Sequence, residues 1–274
     1  MLKNLLFFQN GRGQLRTGIE RTVVELYNSN TDIVKTHLIH DSSYLKTNLK
    51  NLFEYNNDLL SKHQYIINIG GEHSMAIGSL GSSLNVFGSN IKVIWIDAHA
   101  DINTKISSPS GNVHGMPLAY LSGLDKSPDY DYLRNKLNLN NLCYMGIRDL
   151  DSEEINTINK FGIKKILSQE FNTNIDTCCS DIIKWVGGAK LHLSIDVDSL
   201  DPKYMQFTGT RASGGLELDK LVKFIKEIKS NCEIVNADIA ELNLYNPDCD
   251  NLLNKEEEKI KSLKNFNHIL ENLL

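Results

Sequence analysis

The chain has 274 residues, 41% hydrophobic and 23% charged, with a formal net charge of −5; this is the make-up of an ordinary globular protein long enough to bury a core. The acidic balance excludes an electrostatic footprint for nucleic acid or an anionic membrane, so neither is expected as a partner. Five cysteines, Cys143, Cys178, Cys179, Cys232 and Cys249, are odd in number and lack CxxC spacing, which argues against a disulfide framework or structural zinc site and for a reducing, cytoplasmic setting.

In chain order, MLKNLLFFQN opens with an apolar stretch too short for a bilayer span and without a small-residue cleavage site, so it reads as a first strand. Helical spacing follows over residues 17–27. Short apolar runs rich in β-branched residues then recur at 65–69, 92–96, 142–146, 191–195 and 234–239, with helical spacing over 152–161 and 218–229. Alternating β and α segments predict an α/β fold, a parallel sheet with helices on both faces. No repeat, linker or low-complexity segment interrupts it beyond the charged run 255–261, which reads as a solvated helix face. One domain, 1–274, is expected.

In such open sheets ligands gather at the carboxyl ends of the strands, and the polar clusters lie there: 70–73, 97–101, 148–151, 196–198 and 238–241. In IDAHAD, residues 96–101, Asp97, His99 and Asp101 stand at every second position, so an extended chain would put them on one side. SIDVDSLDP, residues 194–202, repeats the device with Asp196 and Asp198, and lacks the glycine and distal glutamate of an EF-hand. His73 arrives from GGEHS after another strand. Two imidazoles and four carboxylates at three strand ends point to metal. The mixed donors disfavour thiolate-loving metals and an all-oxygen calcium cage, leaving manganese, zinc or iron. Four carboxylates are too many for one ion, whereas two ions sharing bridging carboxylates would spread the charge and activate a water between them.

These blocks carry a family resemblance. GGEHSMAIGS, WIDAHADINT, SPSGNVHGMP, SIDVDSLDP and DIAELN, in that order, with GRGQLRTGIE near the start, resemble the signature blocks of arginases within the ureohydrolase family, from about Gly11 to Asn243. The resemblance implies a three-layer α/β/α fold with a mainly parallel central sheet, and two manganese ions per subunit. One ion would be held by His73, Asp97, Asp101 and Asp196, the other by Asp97, His99, Asp196 and Asp198. Asn103, Ser108, Ser110 and Asn112 match positions that contact the substrate's α-carboxylate and α-amino groups, and Asp151 and Glu154 match the carboxylates that hold the α-amino group. Thr210 matches another pocket position. The implied reaction is hydrolysis of L-arginine to L-ornithine and urea, by attack of a metal-bridging hydroxide on the guanidinium carbon with Asp101 as its hydrogen-bond acceptor. His114 matches a proton-transfer residue, and an imidazole titrating near neutral pH suits delivery of a proton to a leaving amine. Glu241 matches the carboxylate that pairs with the guanidinium, a planar partner for a carboxylate. A homo-oligomer, trimer or hexamer, is implied too, with no extended C-terminal tail expected to contribute.

Two positions depart from the family pattern. Glu72 stands where GGDHS would have Asp, so a longer carboxylate beside His73 is expected to reorient that ligand or weaken one metal. Arg211 stands where proline is usual after Gly209 and Thr210, placing a long cation near the pocket. The alternatives are a ureohydrolase for another guanidino compound, such as agmatine or a guanidino acid, and an arginine-binding relative with weakened turnover. A histone-deacetylase-like amidohydrolase fits less well, because it would lack this double set of ligands.

Overall fold

The structure is a computed structural model that describes residues 3–30 and 35–274. Its framework is one eight-stranded sheet with every neighbouring pair parallel. The strands are β1 Lys3–Phe8, β2 Lys35–Ile39, β3 Tyr65–Gly70, β4 Ile91–Ile96, β5 Leu142–Met145, β6 Lys164–Ile166, β7 Lys190–Asp196 and β8 Glu233–Ala240, in the order β2-β1-β3-β8-β7-β4-β5-β6. The helices are α1 Ile19–Ser29, α2 Leu45–Ser61, α3 Ala76–Phe87, α4 Pro117–Ser122, α5 Ser152–Phe161, α6 Ser168–Thr173, α7 Ile175–Val186, α8 Leu218–Asn231 and α9 Lys255–Leu273.

The inner strands are mostly apolar on both faces because both are covered, the buried exceptions including Asn68, His192, Ser194, Asn236 and Asp238 on β3, β7 and β8. Successive residues divide between two cores: Leu5, Phe7, Ile67, Ile69, Ile94 and Ile96 pack with α1, α7, α8 and α9, while Leu6, Phe8, Ile66, Val93 and Trp95 pack with α2, α3, α4 and α5. Three layers, α/β/α, follow. Helix α8 shows why these segments are helical: Leu218, Leu221, Val222, Ile225 and Ile228 recur at three- and four-residue spacing and are all buried.

Helix α1 begins two residues later than its spacing suggests, since Gly18 is held at φ 99° against the backbone of Tyr245. The charged run 255–261 forms the start of α9. Strands β3, β8, β7 and β4 are contiguous, with Ile69 opposite Ile239, Asp196 opposite Ala240 and Ile96 opposite Ile195. Their carboxyl ends bring together loops that lie far apart in sequence.

Candidate metal centre and substrate cleft

Beyond β4 the chain bends rather than continuing as a strand, and Asp101 takes a left-handed φ of 49°. Asp97, His99 and Asp101 therefore converge through a curled loop and not through strand alternation. The reason is local: Asp97 Oδ1 accepts the His99 N–H at 2.7 Å, closing a turn at the strand end. Beyond β7 the same happens, with Asp196 Oδ1 accepting the Asp198 N–H at 2.8 Å. His73 enters on a short turn after β3 that Gly70 and Gly71 permit; a methyl on Gly71 would collide with the Asn10 carbonyl.

Two groups result: His73, Asp97 and Asp196, and Asp97, His99 and Asp198, the donor atoms of each lying within 4.8 Å of one another. Asp97 belongs to both. His73 Nδ1 stands 3.1 Å from Asp97 Oδ2, 3.2 Å from Asp101 Oδ2 and 3.2 Å from Asp196 Oδ2, yet it is buried and makes a hydrogen bond to none of them. An orphaned imidazole nitrogen facing three carboxylate oxygens is the donor arrangement that a cation satisfies, so the residues present fit a metal. His99 Nδ1 lies 3.1 Å from Asp198 Oδ2 and 3.4 Å from Asp97 Oδ1.

Burial pushes Asp196 well above the usual carboxylate range, and the charges of Asp198 and Asp97 add to the shift. Burial acts on Asp97 in the same sense, but His73 and His99 outweigh it and hold that group below its usual range. Two side chains outside the sequence-based set fix these ligands. Trp95 stacks on the His73 ring at 4.1 Å and donates its indole N–H to Asp97 Oδ2 at 2.9 Å; Ser194 Oγ lies 2.9 Å from His73 Nε2. Each stands two residues before a ligand on the same strand face, the signal that would have found them.

A cleft of about 260 Å³ opens above this cluster, its walls including Asn103, Ser108, Ser110, His114, Asp151 and Thr210. Glu154 also lines it, with both oxygens engaged by backbone: Oε2 accepts the Asp151 N–H at 3.1 Å and Oε1 the Ile102 N–H at 3.4 Å. It thereby ties the start of α5 to the ligand loop, and burial lifts it to about 7. Asn103 Nδ2 donates to Asp151 Oδ2 at 2.8 Å, while Ser107, which sequence reading passed over, donates to Asn103 Oδ1 at 2.8 Å. Thr210 Oγ1 donates to Asp198 Oδ2 at 3.1 Å. Asn112 is half-buried and not part of the cleft wall; its backbone N–H bonds Ser110 Oγ at 3.2 Å.

Glu241 is 2% exposed with a left-handed φ of 68°. Its Oε1 accepts the His73 backbone N–H at 2.9 Å and lies 3.1 Å from His114 Nδ1, and its Oε2 accepts from Gln14 Nε2 at 3.0 Å. Burial would raise Glu241, but His114 and the His73 N–H outweigh it and keep the carboxyl below its usual range. Burial likewise lowers His114, yet Glu241 outweighs it and lifts the imidazole to about 9.

At both departures from the family pattern the side chain is held by hydrogen bonds to neighbouring groups. The Glu72 carboxylate turns from the His73 ring to Ser74, Gly13 and Asn10. Arg211 points away from the cleft, its Nη1 3.1 Å from Gln206 Oε1 and 3.7 Å from Cys249 Sγ. A further hydroxyl–imidazole–carboxylate series, Ser83, His192 and Asp238, is sealed at 0% exposure and ties α3 to the sheet.

Comparison with known proteins follows the same lines. The profile of the arginase family matches residues 13–253. An arginase of Plasmodium falciparum is 39% identical over 212 residues, which cover 73% of this chain and 50% of that protein. The chain spans about half the length of the curated relatives it matches. Among solved structures, an arginase of Bacillus cereus superposes with a TM-score of 0.83 at 25% identity, covering 99% of this chain and 97% of that one. An Entamoeba histolytica arginase in complex with L-ornithine superposes at 0.81 and 23% identity, covering 98% of each chain, a likeness of fold. Among the described residues no helix is long and apolar enough to cross a membrane.

Proposed function

The chain belongs to the arginase family, and from that premise we propose that it hydrolyses L-arginine to L-ornithine and urea, using two manganese ions held by His73, Asp97, His99, Asp101, Asp196 and Asp198. The observation that carries this reading is the pair of donor groups joined through Asp97, with the orphaned Nδ1 of His73 at the centre of one of them. When bound, the ion pair supplies a water acidic enough to act as nucleophile near neutral pH.

The rest falls to the chain's own groups. Glu241 receives the guanidinium, and its depressed pKa keeps it in the charged state a cation requires. Asp101 takes up the proton of the attacking water. His114 holds a proton at Nδ1 against Glu241 at neutral pH and passes one to the departing amine. At the outer wall, Asp151 receives the α-ammonium, with Glu154 fixing the loop that carries it. Asn103, Ser108, Ser110 and, beside the cleft, Asn112 serve the α-carboxylate; Thr210 steadies Asp198. Agmatine, which lacks the α-carboxylate, would leave the outer-wall donors unpaired at a cost in binding. We read residues 1–274 as a single catalytic unit, working in the cytoplasm as a homo-oligomer, a trimer or hexamer.

The test is urea release by the purified chain from L-arginine and from agmatine, with manganese and after chelation. Manganese-dependent urea from L-arginine alone is the expected result. Urea from agmatine alone would overturn the reading of the outer wall, and none from any guanidino compound by the fully loaded protein would overturn the activity.

A further inference from the structure

After β1 the chain runs as residues 10–14 beside the turn after β3, packed so closely on it that a methyl on Gly13 would collide with the Glu72 carboxylate. Glu72 is fully buried and holds this segment from below. It accepts the Gly13 N–H at 3.2 Å and the side-chain amide of Asn10, while also accepting the Ser74 N–H at 3.0 Å and the Ser74 hydroxyl at 2.6 Å. An aspartate at 72, one methylene shorter, could not serve Ser74 and Gly13 together.

On its other side the segment meets the groups assigned to chemistry. The Gly13 carbonyl accepts the His114 backbone N–H at 3.2 Å. Gln14, 8% exposed, donates Nε2 to Glu241 Oε2 at 3.0 Å, and its Oε1 is buried without a partner. That orientation follows from the charge of Glu241, because the flipped amide would set oxygen against carboxylate. The last torsion of a glutamate side chain is soft. Among the described residues both other donors to Glu241, the His73 N–H and His114 Nδ1, meet Oε1, so of these Gln14 alone fixes where Oε2 lies and hence the plane of the carboxylate. A planar, forked cation is sensitive to that plane.

We propose that residues 10–14 form a positioning strap, pinned by Glu72, through which Gln14 sets the plane of the Glu241 carboxylate and the Gly13 carbonyl anchors His114. This rests on the reading above, that Glu241 receives the guanidinium. Gln14 and Glu72 are positioning residues; neither is assigned contact with the reacting atoms.

The test uses the full manganese-loaded chain with Gln14→Met, which keeps the side-chain volume without the donor, with Glu72→Asp, and with both together. Bound manganese, kcat and KM for L-arginine, and amide exchange at Gly13 and His114 are measured. Each single variant is expected to lower kcat by about tenfold or more, the worth of one hydrogen bond to a charged group, with manganese content unchanged. The double variant should be no worse than the poorer single, because both act through one strap. Near wild-type kcat in Gln14→Met, a fall that tracks lost manganese, or multiplicative effects in the double variant would overturn the proposal. If the loaded wild-type chain hydrolyses no guanidino compound, the activity reading fails and the strap is judged by exchange alone. Faster exchange at Gly13 and His114 in Glu72→Asp upholds it, and unchanged protection overturns it; Glu72→Gln takes its place should the aspartate variant not fold.

Discussion

Asp97 does two jobs at once: Oδ1 bonds the His99 N–H and Oδ2 the indole of Trp95. An orienting partner of this kind typically governs metal affinity by about 10- to 100-fold. Trp95→Phe keeps an aromatic ring beside His73 and loses the N–H, so manganese should bind more weakly by about that factor, read by calorimetric titration, with KM for L-arginine at saturating metal little changed. His114 carries a pH signature. Its folded pKa, about 9, lies above the ordinary value of 6.5, so the stabilising pairing with Glu241 is complete below about pH 6.5 and is lost as pH rises through about 9. Melting of the chelated protein should fall from pH 6.5 to 9.5 by the equivalent of roughly 3 kcal/mol at most, and His114→Gln should flatten that dependence. At this scale five of the six candidate ligands stand out by residue type and two-residue spacing, while His73 stands alone in its motif and is marked by the family resemblance. Gln14 was not legible, since an uncharged amide next to a glycine-rich stretch carries no chemical mark until the fold sets it against Glu241.

Turns at strand ends, more than the strands themselves, shape the cleft. Arg148, just after β5, shows how they are held together. Its guanidinium donates to the carbonyls of Gly146, Asp198, Ser199, Leu200, Ala212 and Ser213, tying the loop after β5 to the Asp198 turn and the segment that follows Thr210. A lysine keeps the charge but not the planar fork. Arg148→Lys should therefore destabilise the fold by about 1–3 kcal/mol in denaturant titration and weaken manganese binding through Asp198. Inner strands and amphipathic helices such as α5 and α8 were legible from apolar periodicity. Strand β6 was not: three residues at the sheet edge with two lysines, Lys164 and Lys165, leave no apolar pattern to read. Helix α3 was hidden for the opposite reason. It is buried on nearly every side and rich in glycine and serine, so it lacks the one-sided stripe that announces a surface helix.

At the scale of the whole molecule, the sheet order places β3, β8, β7 and β4 side by side, and no single sequence announces that order, because adjacency of β3 with β8 spans most of the chain. One consequence is the confinement of Asp97, Asp101, Asp196 and Asp198, each at most 6% exposed, around two histidines. Such a cluster costs folding energy that bound cations would offset, since a ligand held only by the folded state stabilises it by about 2.7 kcal/mol at a hundredfold excess over Kd. For a chain of this size that corresponds to roughly 5–10 °C in Tm, so chelation should lower melting by about that amount and manganese restore it. A general effect of divalent ions on the surface would give the same sign, and Asp196→Asn separates the two. Asparagine keeps an oxygen for the Asp198 N–H while removing a buried charge that faces Asp97 and Asp198. In chelator the variant should melt no lower than wild type, because like-charge repulsion has been relieved. In manganese, wild type alone should gain the increment. A variant that gains as much as wild type would place the ions elsewhere, and one that melts well below wild type in chelator would mean that Asp196 holds the fold together by itself, without the cation its surroundings are shaped to receive.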